Sequence, residues 1–269
     1  MGIAKAVILA EKDSYRTDPN RKRSIFSKVF LGPKFTFYPQ AVWILLKNSH
    51  KAIKGLYPAE AWADSSFEMM RALENIGASI EITGMNNMKF KGPAVFIANH
   101  MSALETQVLP CIIQPVKPVT FVVKESLIHM PVFGPIMRSR DPIVVSRTNP
   151  REDLRAVLEQ GNKKLRQGQS IIVFPQSTRS STFNPAEFNT LGIKLALKAQ
   201  APVVPIALKT DAWGIGKKMK DFGPIDIRKK IHFAFGERIV VQNRGADEHQ
   251  KIINFITEHL NTWNKEEEL

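Results

Sequence analysis

The sequence predicts an α/β fold: a largely parallel central sheet flanked by helices, preceded by an N-terminal amphipathic helical pair. Three observations predict it. Short β-branched runs recur from residue 77 onward, helical-period stretches lie between them, and an amphipathic helical pattern occupies residues 35–76. Apolar strands alternating with helices are the signature of a buried, mainly parallel sheet. The chain accordingly divides into a basic N-terminal region, 1–76, and an α/β domain, 77–269.

In chain order, residues 41–57 read as an amphipathic helix. Val42, Leu45, Leu46, Ser49, Ile53 and Leu56 follow helical spacing, and Lys47, Lys51 and Lys54 form a stripe elsewhere on its surface. Trp43 lies beside the apolar face, an arrangement that suits a helix lying in a membrane interface. It equally suits a helix packed on the body with its lysines in water. Pro58 fits the first turn of a second helix, Phe67, Met70 and Leu73 give that helix an apolar face, and Gly77 is a stop. Strands follow at Ser79–Thr83, Ala94–Ala98, Thr120–Val123, Ile143–Val145, Ser170–Phe174, Val203–Leu208 and Lys230–Phe235. Helices fit between several of them, notably Arg151–Arg166 and Asn189–Lys198, and Lys265–Leu269 reads as a solvated tail.

Composition narrows the function. A chain of 269 residues that is 43% apolar, with four Trp, buries a full core and is not a disordered chain. The single cysteine, Cys111, excludes an intramolecular disulfide framework and a cysteine-rich zinc module. The formal net charge is +13, and residues 1–55 hold 11 basic against three acidic residues, a surplus of eight. Such a surplus calls for nucleic acid, an anionic membrane or a polyanionic substrate. The short Ala4–Ala10 patch is interrupted by Lys5 and is no secretory signal. The run Ala41–Leu46 is far short of the ~20 residues that span a bilayer. The expectation is a protein at the cytoplasmic face of a membrane, peripheral or monotopic, with no transmembrane helix.

Two constellations carry chemistry. In Ala94-Val-Phe-Ile-Ala-Asn-His100-Met-Ser-Ala-Leu-Glu105 a buried strand ends in a histidine, with a carboxylate five residues on, in the next helix. Ligands of open α/β sheets bind at the carboxyl ends of strands. A histidine there serves as general base when a carboxylate holds its other ring nitrogen. The competing reading is a capping box, Ser102-Ala-Leu-Glu105, in which Glu105 is spent on the helix start. In Ser170-Ile-Ile-Val-Phe-Pro-Gln-Ser-Thr-Arg179 a second strand runs into a polar turn whose guanidinium and amides can hold a phosphate; an ordinary surface turn has the same composition. Lys124 and Arg147, at the ends of two further strands, are additional anion ligands or plain surface charges. No G-x-S-x-G elbow, H-E-x-x-H pair or phosphate-binding P-loop is present. The histidines show no metal spacing, so no metal is expected. Aromatics do not interleave with the basic runs, which disfavours nucleic acid.

In their order, these segments resemble the 1-acylglycerol-3-phosphate acyltransferase family of glycerolipid synthesis. The matching blocks are Asn99-His100-Met-Ser-Ala-Leu-Glu105, Lys124-Glu-Ser-Leu with Pro131-Val-Phe-Gly134 and Arg147, Phe174-Pro-Gln-Ser-Thr-Arg179-Ser, and Val204-Pro-Ile-Ala. They span about residues 80–210. Glu105 stands where the family usually has Asp, Gln176 where it has Glu, and Ser177 where it has Gly. Related acyltransferases of lipid A synthesis also use H-x4-E.

The resemblance implies transfer of a fatty acyl group from an acyl thioester to the free hydroxyl of a lysophospholipid. His100 would be the general base, oriented by Glu105. Arg179, Arg147 and Lys124 would bind the acceptor phosphate, and Gln176, Ser177 and Thr178 would form the acceptor-site loop. It implies no cofactor beyond the donor, acyl-CoA or acyl-carrier protein, as co-substrate, and an anionic membrane surface as partner. The alternatives are another lyso-lipid or sugar-lipid acceptor, or a non-catalytic membrane-binding protein on the same fold.

Overall fold

The computed structural model describes residues 6–21, 32–217 and 219–268. Lys5, Lys22, Arg23 and Lys28 of the N-terminal basic surplus, Lys218, and Leu269 of the C-terminal tail lie outside the described residues. The elements are α1 (Val7–Ala10), β1 (Tyr15–Arg16), α2 (Pro33–Ile53), α3 (Ala59–Asn75), β2 (Ile80–Thr83), β3 (Val95–Ala98), α4 (Leu104–Ile113), β4 (Val119–Lys124), α5 (Glu125–Ile128), α6 (Phe133–Arg138), β5 (Ile143–Val145), α7 (Pro150–Arg166), β6 (Ser170–Val173), α8 (Leu191–Ala199), β7 (Val203–Lys209), β8 (Ile231–Phe235) and α9 (Ala246–Glu268).

Eight strands form one sheet in the order β1-β2-β8-β7-β3-β6-β4-β5. Strands β3 to β7 run parallel, so their carboxyl ends share one edge. β8 turns back antiparallel to β7, β2 runs parallel to β8, and β1 closes the edge antiparallel to β2. The sheet is therefore largely parallel, as the alternation of strands and helices predicts. The seven predicted strands are present within a residue of their expected ends. The two-residue β1 carries no periodicity to detect.

Helices cover both faces. Along β3, Phe96 and Ala98 point to one side, where they join Ile44, Leu73, Leu109 and Ile136 from α2, α3, α4 and α6. Val95 and Ile97 point to the other side, among Val157, Leu195 and Ile256 from α7, α8 and α9. Strand side chains alternate between faces, so a strand that is apolar at every position must be covered twice. β3, β6, β7 and β8 are buried at every position.

Helix α2 begins at Pro33, eight residues earlier than the apolar spacing suggests, and carries two apolar faces. Phe37, Ala41 and Ile44 are buried against the body. Phe35, Val42, Trp43, Leu46, Ile53 and, just past its end, Leu56 are exposed, with Trp43 at 66% and Ile53 at 69%. Pro58 extends the chain into α3, and Gly77, at φ 101°, ends the turn after it. Lys265 to Glu268 are solvent-exposed, as expected of a solvated tail, but they are helical and form the last turn of α9, where Glu267 reaches Lys209 at 3.1 Å.

Candidate active site

The site grows from the carboxyl end of β3. Asn99 is buried, its Nδ2 donates to the Leu208 carbonyl at 2.8 Å, and its Oδ1 accepts from the Leu208 amide at 2.8 Å. This amide-to-backbone pair fixes the end of β3 to β7. His100 comes next, with its backbone held on both sides: its N–H donates to Gln176 Oε1 at 2.7 Å, and its carbonyl accepts from the Ser180 amide at 3.0 Å. Its ring stacks on Phe174 with centroids 4.3 Å apart.

His100 Nδ1 lies 2.9 Å from Glu105 Oε1. Glu105, in the first turn of α4, is fully buried. It accepts from the amides of Met101 (2.7 Å) and Ser102 (2.9 Å) and from the Thr210 hydroxyl (2.6 Å). The Ser102 hydroxyl lies 3.0 Å from Glu105 Oε2 and 3.1 Å from Thr210 Oγ1, so its one proton serves either. Burial opposes the charge on Glu105. The bonds from His100, Thr210 and Ser102 overcome it and hold the carboxyl below the ordinary carboxylate range. Because Glu105 is ionised it accepts, the proton of a neutral imidazole sits on Nδ1, and Nε2 is left as the basic nitrogen.

The capping and catalytic readings of Glu105 were set against each other by the sequence. The structure keeps the catalytic contact and only part of the capping box: the N-cap of α4 is Ala103, not Ser102. Ser102 Oγ accepts from the Leu104 amide at 3.0 Å, and Glu105 bonds back to the Ser102 amide while still meeting the imidazole. Two carboxylate oxygens with about four lone-pair sites suffice for both.

The predicted anion ligands fall on the same strand edge. The Arg147 guanidinium bonds the Ser177 carbonyl, which brings β5 and β6 loops together. Arg179 Nη1 lies 2.6 Å from Asp221 Oδ1. Ser177 and Thr178 are exposed. Gln176 is buried, and its side chain turns inward to His100 rather than outward to an acceptor, so it positions the histidine. Lys124 is exposed at the end of β4, in register with Val145 of β5; among the described residues no hydrogen bond or ion pair ties it to the arginines. Thr210 and Asp221 escape a motif-based reading. Thr210 stands one residue past β7 at the ligand-binding edge, which is the one signal that marks it. Asp221 has none.

Among the described residues no three His, Cys, Asp or Glu gather as a metal site. A family model described as Acyltransferase matches residues 79–209. The 1-acyl-sn-glycerol-3-phosphate acyltransferase of Pseudomonas aeruginosa is 32% identical over 131 residues, 49% of either chain. The probable 1-acyl-sn-glycerol-3-phosphate acyltransferase of Mycoplasma pneumoniae is 30% identical over 188 residues, 68% of this chain and 69% of the relative. This chain thus spans about half the length of the first relative and over two thirds of the second. The crystal structure of the 1-acyl-sn-glycerophosphate (LPA) acyltransferase, PlsC, from Thermotoga maritima shares the fold, with a TM-score of 0.64 over 86% of this chain and 95% of that one at 20% identity. With its histidine and carboxylate seated at the end of β3 and these relatives on either side, the chain belongs to the 1-acyl-sn-glycerol-3-phosphate acyltransferase family.

Proposed function

We propose that the protein transfers a fatty acyl group from an acyl thioester to the free hydroxyl of 1-acylglycerol-3-phosphate, giving phosphatidic acid. The observation that carries this is the 2.9 Å contact between His100 Nδ1 and a buried, ionised Glu105 at the carboxyl edge of the sheet. His100 Nε2 takes the proton of the acceptor hydroxyl while Glu105 stabilises the imidazolium. The oxygen attacks the thioester carbonyl, a C–O bond forms, the C–S bond breaks, and the imidazolium returns the proton to the leaving thiolate. The donor is acyl-CoA or acyl-carrier protein. Arg179, with Arg147 held to the Ser177 carbonyl of the same loop, binds the acceptor phosphate through planar, multi-donor contacts. Lys124 adds positive charge at the same edge.

Residues 1–76 serve as the docking part and 77–269 as the acyltransferase part. The outward stripe Phe35–Val42–Trp43–Leu46–Ile53 of α2 supports a bilayer contact, since contiguous exposed apolar surface marks an interaction site. Among the described residues no helix is long and apolar enough to cross a membrane. Lys34, Lys51 and Lys54 flank the stripe and are exposed, each worth ~1 kcal/mol against anionic lipid.

The test is an acyl-transfer assay with purified protein, a panel of lyso-lipid acceptors and both donor types. 1-Acylglycerol-3-phosphate should be the preferred acceptor, and His100→Ala should lower kcat by about 10²–10⁴. Near-normal turnover in that variant would discard the mechanism. Docking is tested by Trp43→Ser with Leu46→Ser, which leave the buried face of α2 intact. Unchanged partitioning onto anionic vesicles would count against it.

A further inference from the structure

The residue facing Arg179 is not explained by the reaction. Asp221 Oδ1 is 2.6 Å from Arg179 Nη1, yet that nitrogen is buried and has no hydrogen-bond acceptor in line with its N–H. The contact is ionic without being directed. A carboxylate therefore stands beside the guanidinium assigned to the acceptor phosphate and neutralises it, while the donor directions needed by a phosphate stay unused.

Asp221 belongs to the excursion between β7 and β8, and that excursion rests on α2. The Tyr38 hydroxyl donates to the Gly223 carbonyl at 2.7 Å, and its ring lies 5.1 Å from that of Phe222. Trp213 packs edge-on against Phe37 at 4.9 Å, and its indole N–H donates to the Asp221 carbonyl at 3.1 Å. At the outer end, Ile215, Met219 and Phe222 are exposed apolar side chains beside Lys217 and Lys220. One short segment thus joins three things: the carboxylate on Arg179, the first turns of the proposed docking helix, and an apolar, basic tip of its own.

We propose that Asp221 is a specificity-determining latch, which occupies Arg179 in water and is released when Ile215, Met219 and Phe222 enter a bilayer surface. The site then favours a phosphate presented by a lipid over the same headgroup free in solution. A competing carboxylate lowers the apparent affinity of every phosphate equally, by the fraction of time that Arg179 is occupied. It discriminates only because its release depends on the surface. Insertion of Met219 and Phe222 draws the backbone of residues 219–222 outward, and Asp221 moves with it. This proposal rests on the assignment of Arg179 to the acceptor phosphate.

The test is the binding of glycerol 3-phosphate, a soluble probe, to the full chain by calorimetry, with and without phosphatidylglycerol vesicles. Without vesicles, Asp221→Asn should bind up to about fivefold more tightly than the unsubstituted protein, the scale of a partly exposed ion pair. Vesicles should tighten the unsubstituted protein to the same level and leave Asp221→Asn unchanged. Met219→Ser with Phe222→Ser should stay at the weak level with vesicles present. Equal affinities without vesicles overturn the latch, and so does vesicle tightening of both proteins alike or of neither. Arg179→Gln in the Asp221→Asn background separates the premise: loss of binding there upholds the phosphate assignment whatever the latch does. Retained binding removes that assignment and the latch together.

Discussion

Thr210 and Glu105 are 105 positions apart in the chain, and their side chains meet at 2.6 Å. The hydroxyl follows β7, the carboxylate starts α4, and the bond between them closes the support behind the His100–Glu105 pair. Thr210→Val keeps the shape and removes the donor. The expected result is a fall in kcat of about tenfold with KM for the acceptor nearly unchanged, because a less firmly held carboxylate loosens the imidazole without touching substrate. Thr210→Ser, which restores the donor, should recover most of the rate; steady-state kinetics on the three proteins checks it.

Gln176 supplies the acceptor for the His100 amide at 2.7 Å. A carboxylate at this position would accept the same bond, so the amide keeps the geometry while removing a charge from the vicinity of Glu105. Gln176→Leu should leave the amide unsatisfied and lower stability by about 1–3 kcal/mol, with kcat reduced as the histidine backbone relaxes. Gln176→Glu should retain most of the activity. Urea unfolding and kcat measured on both variants separate the two effects.

His232 of β8 stacks on Trp263 of α9 with centroids 4.7 Å apart. Burial first, and then Lys230, Lys209 and Arg16, push its pKa down to about 4, although Glu81 Oε2 lies 3.7 Å from Nδ1. The folded protein therefore resists protonation that the unfolded chain accepts near its ordinary value of about 6.5. The contribution of this site to stability is complete above that value, is lost as pH falls toward about 4, and changes no further below. Melting temperatures across that window should fall less steeply for His232→Gln than for the unsubstituted protein.

Gly84, at φ 72°, turns the chain out of β2 directly beneath the end of β8. A Cβ there would lie 2.2 Å from the Phe235 carbonyl oxygen, a backbone atom that also accepts from Asn87 Nδ2 at 2.8 Å. Gly84→Ala combines a left-handed backbone with a clash that no side-chain rotation relieves, and should cost about 2–4 kcal/mol. Denaturant titration gives the number, and a change below about 0.5 kcal/mol would contradict the geometry.

Much of this molecule is decided locally, and that much the sequence determined. The apolar runs of β3, β6 and β7 are short, β-branched and set between helical-period stretches, which marks them as strands, and the Pro and Gly residues around α3 mark its ends. The motif blocks name His100, Glu105, Arg147 and Arg179 because each lies within a few residues of a strand end. Tertiary structure alone decided the rest, where residues distant in sequence meet. It brought Thr210 to Glu105, aimed Gln176 at the His100 amide and set Asp221 against Arg179. It also chose between the two apolar faces of α2, burying Phe37, Ala41 and Ile44 and leaving Trp43 and Leu46 outside. Helical periodicity records that a face is apolar but not what covers it, since the cover comes from other parts of the chain. For the same reason a run of glutamates that reads as a tail becomes the last turn of α9, once Lys209 at the end of β7 is there to receive Glu267.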